Sequence, residues 1–172
     1  MIVWINGSFG SGKTSVAKRL NDMLSQSFLY DPEEAGFFIR DNSPPTMQKE
    51  DFQDFALWRE INYGMIASMA AHYEGVVIIP MTLINDQYYD EIITKLIEDG
   101  VALRQYVLIA SKETLLQRLA AREDDNNPWI VPRLDACIDA LKQEKFGCLL
   151  NTDNRSIDEI VDVIIADLNI EE

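Results

Sequence analysis

The chain has 172 residues, close to the ~150 of a single domain, so a lid or long loop fits and a second core does not. With 47% hydrophobic residues it needs no disulfide or structural metal to fold, and a formal net charge of -14 argues against nucleic-acid or anionic-membrane partners. The cysteines Cys137 and Cys148 lie in unrelated stretches, no basic, apolar leader opens the chain, and no apolar run approaches the ~20 residues of a membrane span, which together predict a cytoplasmic protein.

In chain order the first predicted element is a strand at residues 2–5, followed by Gly7-Ser-Phe-Gly-Ser-Gly-Lys13-Thr14. A helix comes next, with Val16, Leu20, Met23 and Leu24 on one face. A second strand at 28–30 runs into Asp31-Pro32-Glu33-Glu34, and residues 36–50, with Asn42-Ser-Pro-Pro45, read as irregular. Residues 51–73 read as one long helix ended by Gly75. The third strand is 76–79, and the helix after Asn85 carries Tyr89, Ile92, Ile93, Leu96 and Ile97 before Gly100 stops it.

A fourth strand covers 103–109, and Leu115, Leu116 and Leu119 mark a short helix. Residues 123–132, with Asp124-Asp-Asn-Asn-Pro128, form a second irregular stretch. The fifth strand is 148–150. Ser156-Ile-Asp-Glu159 then reads as a capping box opening a closing helix, whose stripe is Ile157, Ile160, Val161, Ile164, Ile165 and Leu168. Strands alternating with helices predict an α/β fold, a five-stranded parallel sheet covered on both faces, over a single domain at 1–172. The two irregular stretches are the expected moving parts.

The segment from Gly7 to Thr14 satisfies G-x-x-x-x-G-K-[ST] between a strand and an amphipathic helix, the context a phosphate-binding P-loop requires. Its glycines let successive N–H groups converge on phosphate oxygens, and the helix adds its positive end. Lys13 is then placed for the β- and γ-phosphates of a nucleoside triphosphate, and the Thr14 hydroxyl for Mg²⁺.

Arg118 and Arg122 stand four apart before the polar stretch. They suit stacking on a base and neutralising a transferring phosphate, or simply complementing a helix dipole. Arg133 lies beyond the loop as a further candidate. Asp31 follows the second strand, at the sheet edge where ligands of such folds gather. It can accept the proton of an attacking hydroxyl or hold a Mg²⁺ water, and equally serves as an N-cap before Pro32. The third strand leads into Pro80, and Met81 and Thr82 follow, without the carboxylate that commonly faces the metal there. His72 lacks a partner motif and reads as structural. Phe52, Phe55, Trp58 and Tyr63 read as core, while Arg59 on the same predicted helix stays a candidate.

Trp4 to Thr14, Tyr30 to Phe37, Asp51-Phe-Gln53 with Leu57-Trp-Arg59, Ile79 to Thr82, Ala110 to Leu116 and Thr152-Asp-Asn154 together resemble the tunicamycin-resistance (TmrB-type) ATP-binding proteins. More broadly the layout is similar to small P-loop kinases of the nucleotide, shikimate and gluconate kinase group. The resemblance implies a three-layer P-loop NTPase fold of nucleotide-kinase type, a lid at about 122–133 and a substrate-side insertion at about 33–73. It implies ATP and Mg²⁺, held by Gly7, Ser8, Phe9, Gly10, Ser11, Gly12, Lys13, Thr14 and Ser15, with Arg118 on adenine, Arg122 on phosphate, and residues 151–155, including Asp153, Asn154 and Arg155, along the base. Asp31 would meet the acceptor, with Arg40 and Arg59 as substrate anchors.

The expected function is phosphoryl transfer to a small hydroxylated molecule in an antibiotic-resistance setting, by a monomer or homodimer. The alternatives are ATP-dependent sequestration of the drug without catalysis, and a GTPase-type switch, which the missing N-K-x-D motif disfavours.

Overall fold

The computed structural model describes residues 1–124 and 126–169. Asp125 of the polar stretch lies outside them. Five strands, β1 (Ile2–Gly7), β2 (Ser27–Leu29), β3 (Val76–Pro80), β4 (Leu103–Ile109) and β5 (Cys148–Asn151), form one sheet in the order β2-β3-β1-β4-β5. Every pairing is parallel. Parallel strands need helical crossovers and bury both faces, so their sequences are continuously apolar. β1 and β3 are buried along their whole length.

Alternation along β1 divides the core. Ile2 and Trp4 point into one layer with Trp58, Ile66 and Ile92, while Val3 and Ile5 point into the other with Val16, Leu20, Ile160 and Ile164. The second layer is covered by α1 (Lys13–Met23) and α8 (Ile157–Leu168), which pack on each other. The first is covered by α3 (Ala56–His72) and by a continuous helical run of α4 (Asp86–Tyr89), a π turn (Asp90–Thr94) and α5 (Lys95–Glu98). The result is the three-layer α/β arrangement with a five-stranded parallel sheet. The capping box of α8 is present, with Ser156 and Glu159 bonding each other's backbone amides.

Three elements differ from expectation. The predicted helix at 51–73 begins only at Ala56. Asp51 instead caps a 3₁₀ turn at Phe52–Asp54, and Phe55 is extended at φ -76°, ψ 120°. Residues 36–50 are not wholly irregular, because α2 (Pro32–Asp41) runs through Gly36, which packs so close to Phe52 that a Cβ would lie 2.6 Å from its ring. Finally, α6 (Lys112–Ala120) is followed by turns and then by an unexpected helix, α7 (Val131–Ala140), which carries Pro132 in its first turn. The lid expected at about 122–133 therefore ends inside a helix. Among the described residues no helix is long and apolar enough to cross a membrane.

Candidate active site

The end of β1 is clamped before the loop begins. Asn6 is 1% exposed; its Oδ1 accepts from the amides of Gly7 and Leu83 at 2.9 and 3.1 Å, and its Nδ2 donates to the Leu83 carbonyl at 2.8 Å. Gly7 is sterically required, since a Cβ there would stand 2.5 Å from Ser11 Oγ and 2.9 Å from the Leu108 carbonyl. Gly12 ends the loop at φ 95° and caps α1 with no side chain on its first amides, which therefore remain free for an anion. Ser11 Oγ is buried without a hydrogen-bond partner, the kind of orphaned group that a ligand satisfies.

Lys13 leans back over this loop, donating to the Ser8 carbonyl at 3.0 Å. Burial pushes its ammonium down to about 8, with Arg122 adding a smaller push the same way and Cys137 and Glu33 opposing it. Ser8 is buried, while Thr14 is exposed in the first turn of α1.

Two cavities flank the loop. The smaller, about 270 Å³, is lined by Gly10, Ser11, Gly12 and Ser15 on one side and by Arg118, Arg122, Thr152 and Arg155 on the other. Arg118 donates to Thr152 Oγ1 at 2.9 Å, to the Thr152 carbonyl at 2.8 Å and to the Gly10 carbonyl at 3.5 Å. Arg122 joins it from the turn just beyond α6. Asp153 turns away to accept from the Ser111 amide at 2.9 Å. Asn154 adopts φ 55°, and neither residue lines this cavity.

The larger cavity, about 490 Å³, opens on the Phe9 side of the loop and includes Glu33, Arg40, Asp51, Phe52, Thr82 and Trp129. Trp129 meets Phe9 edge-on at 5.3 Å and carries Arg133 over its ring at 4.7 Å. Two expected contributors stand elsewhere. Asp31 Oδ1 accepts the Glu33 amide at 3.0 Å as the N-cap of α2, and Asp31 is not among the residues lining the cavity. Arg59 is also absent from the lining. It is 7% exposed, pairs with Glu91, donates to the Gln53 carbonyl at 2.6 Å and lies 4.3 Å over the Tyr88 ring, so it braces the wall from behind.

The carboxylates that do line the cavity include Glu33 and Asp51. Burial raises both above the usual carboxylate range, Asp31 adding to the shift at Glu33 while the Gln53 amide opposes it at Asp51. Sequence reasoning missed Glu33, Asp51, Trp129 and the clamp at Asn6, whereas Thr152 falls within the stretch 151–155 expected along the base. Only the glutamate two places beyond the capping aspartate offered a signal, as the first-turn side chain that projects outward.

The residues present fit a nucleoside polyphosphate, given the glycine cradle, the uncapped α1 amides, the orphaned Ser11 hydroxyl and the three arginines. No cluster of three or more His, Cys, Asp or Glu suited to a metal occurs among the described residues, so a Mg²⁺ there would take its ligands from the phosphates and the Thr14 hydroxyl.

The sequence matches the family described as AAA domain over residues 2–143. No curated protein sequence matches it. Among solved structures it is similar to the Deinococcus radiodurans tunicamycin resistance protein, at 25% identity over 99% of this chain and 96% of that one, TM-score 0.82. A gluconokinase from Sinorhizobium meliloti 1021 shares the fold at 18% identity, 97% and 90% coverage and TM-score 0.67. So does a sugar kinase from Janibacter sp. HTCC2649, at 18% identity, 98% and 94% coverage and TM-score 0.67.

Proposed function

The chain belongs to the AAA domain family, and on that premise we propose that it is an ATP-dependent phosphotransferase acting on a small hydroxylated molecule, with tunicamycin or a related nucleoside as the first candidate. The observation that carries the reading is the pair of cavities that border one P-loop, an arginine-lined one against Gly10 to Gly12 and an aromatic and acidic one against Phe9. A donor and an acceptor held so would meet at the loop over which Lys13 leans. The similarity to the tunicamycin resistance protein supports the choice of acceptor.

In this reading Arg118 and Arg155 hold the base, and the loop amides with Lys13 and Arg122 bind the phosphates and offset the charge that develops on transfer. Mg²⁺, when bound with the Thr14 hydroxyl as a ligand, supplies further neutralisation of the phosphate oxygens. Glu33 takes the place first expected of Asp31. Its carboxylate receives the acceptor hydroxyl's proton as the new oxygen–phosphorus bond forms and the bond to the ADP oxygen breaks. A carboxylate raised by burial is a better base than an ordinary one. Arg40 and Asp51 contact the acceptor, and Phe52 and Trp129 supply its apolar walls.

The test is mass spectrometry of tunicamycin after incubation with the protein and Mg·ATP. A gain of one phosphoryl group is the expected outcome. Tight binding of the unaltered drug would overturn transfer in favour of ATP-dependent sequestration.

A further inference from the structure

The segment after β3 bonds to both sides of the site. Thr82, which lines the larger cavity, donates its hydroxyl to the Gly7 carbonyl at 2.7 Å. Its own carbonyl accepts from Gln53 Nε2 at 2.9 Å. Gln53 is itself fixed, its amide on Asp51 Oδ1 at 2.9 Å and its carbonyl on Arg59 Nη1 at 2.6 Å. The same arginine lies over Tyr88, whose hydroxyl donates to Asp54 Oδ1 at 2.6 Å. On either side of Thr82 the backbone is pinned, Met81 N to the Ile5 carbonyl at 3.1 Å and Leu83 to the buried Asn6.

We propose that Thr82 is a positioning residue that couples the acceptor-side wall at residues 51–54 to the phosphate-binding loop. The inference rests on the phosphotransfer reading above. Its physical basis is the direction of one carbonyl. The Gly7 oxygen is held against the Thr82 hydroxyl, and a peptide oxygen released from that bond is free to turn and oppose a bound phosphate. Because the peptide of Thr82 also carries the Gln53 amide, movement of the wall is transmitted through two hydrogen bonds to the first glycine of the loop. The segment just beyond β3, where no carboxylate stands, thus provides a neutral tie between the two half-sites. Neither cavity by itself has this property.

The test is amide hydrogen exchange read by mass spectrometry, with each protein saturated by a non-hydrolysable ATP analogue and Mg²⁺, and saturation confirmed by calorimetric titration. In the wild type, analogue binding at the loop is expected to slow exchange in the peptide covering residues 51–55 by about fivefold, the worth of one neutral hydrogen bond. Thr82→Val, which keeps the shape and removes the donor, should lose that remote protection, and Thr82→Ser should restore it. A merely structural threonine would not show this split. If thermal melting shows Thr82→Val unfolded, Gln53→Met breaks the other bond and should lose the same protection.

Wild-type-like protection of 51–55 in Thr82→Val or Gln53→Met would overturn the proposal, as would its absence in the saturated wild type. If the titration shows no heat of analogue binding to the wild type, the phosphotransfer reading fails and takes this one with it, a result distinct from bound analogue without remote protection.

Discussion

Lys13 carries the sharpest consequence of the loop's geometry, because its desolvation acts on the empty protein as well as on ligand binding. Its ammonium falls from 10.5 to about 8, a shift that makes the charged form costly in the folded chain. Partial solvent access trims this cost to about 2–3 kcal/mol. Below pH 8 folded and unfolded chains both hold the proton and the full cost weighs on the fold. Between 8 and 10.5 the folded chain releases its proton first, so stability rises with pH, and above 10.5 the cost is gone.

Lys13→Met removes the charge but also the bond to the Ser8 carbonyl, worth about 1 kcal/mol. At pH 7 the variant should be more stable than the wild type by about 1–2 kcal/mol, and at pH 10.5 less stable by about 1 kcal/mol. Urea unfolding of both proteins across that range measures the swing directly, while calorimetry should find nucleotide binding abolished in the variant. A stability difference that stays flat from pH 7 to 10.5 would refute the argument that burial sets the state of this lysine.

Three further substitutions test separate parts of the site. Glu33→Gln removes the proposed proton acceptor and should slow phosphoryl transfer by about 10²–10⁴-fold in a product assay while nucleotide titration stays intact; an undiminished rate would return the role to another carboxylate. Arg118→Ala loses the bonds to Thr152 and Gly10 together with the flat cation over the smaller cavity, so ATP affinity should fall by about tenfold. An unchanged affinity would remove the base from that cavity. Asn6→Ala leaves the Gly7 and Leu83 amides and the Leu83 carbonyl without their buried partner, a loss of about 2–4 kcal/mol in denaturant unfolding. A cost below about 1 kcal/mol would mean water replaces the side chain.

How much of this was legible in the sequence follows from which forces are local. The central strands β1 and β3 were readable because a parallel strand buried on both faces is apolar throughout, the outer ones from shorter apolar runs such as Tyr106 to Ile109, and the P-loop because glycine spacing follows backbone sterics. Helix α7 was not, although Leu134, Cys137 and Leu141 keep a helical spacing. The Asp-Asn-Pro run before it dominates the local signal, and the helix is stabilised by packing on Leu115 and Leu119, which neighbours in sequence do not reveal. The start of α3 failed differently. Phe52 and Phe55 continue a helical period, yet Phe52 is drawn against Gly36 and the chain breaks step to reach it. Asp31 and Glu33 show the limit at the site itself. Both sit at one helix start, and only the structure decides that the first folds back onto an amide while the second faces the cavity.

The charge distribution binds these points together. In a chain of net charge -14 any exposed arginine has carboxylates to choose from, and several cations of the described residues do choose them, Arg19 with Asp158 and Lys112 with Asp135 among others. Lys13, Arg118, Arg122 and Arg155 do not. Among the described residues none of the four lies within ion-pair distance of a carboxylate, although three of them converge on one small cavity and Lys13 lies in the loop beside it. Keeping like charges together and unpaired costs free energy that packing alone has no reason to maintain. A polyanion in the cavity removes that cost, and the surrounding acidic surface repels it everywhere else. On the phosphotransfer reading, net charge and local charge thus have opposite signs for one reason: an acidic chain disfavours a phosphate group away from the arginine-lined cavity that the loop amides border.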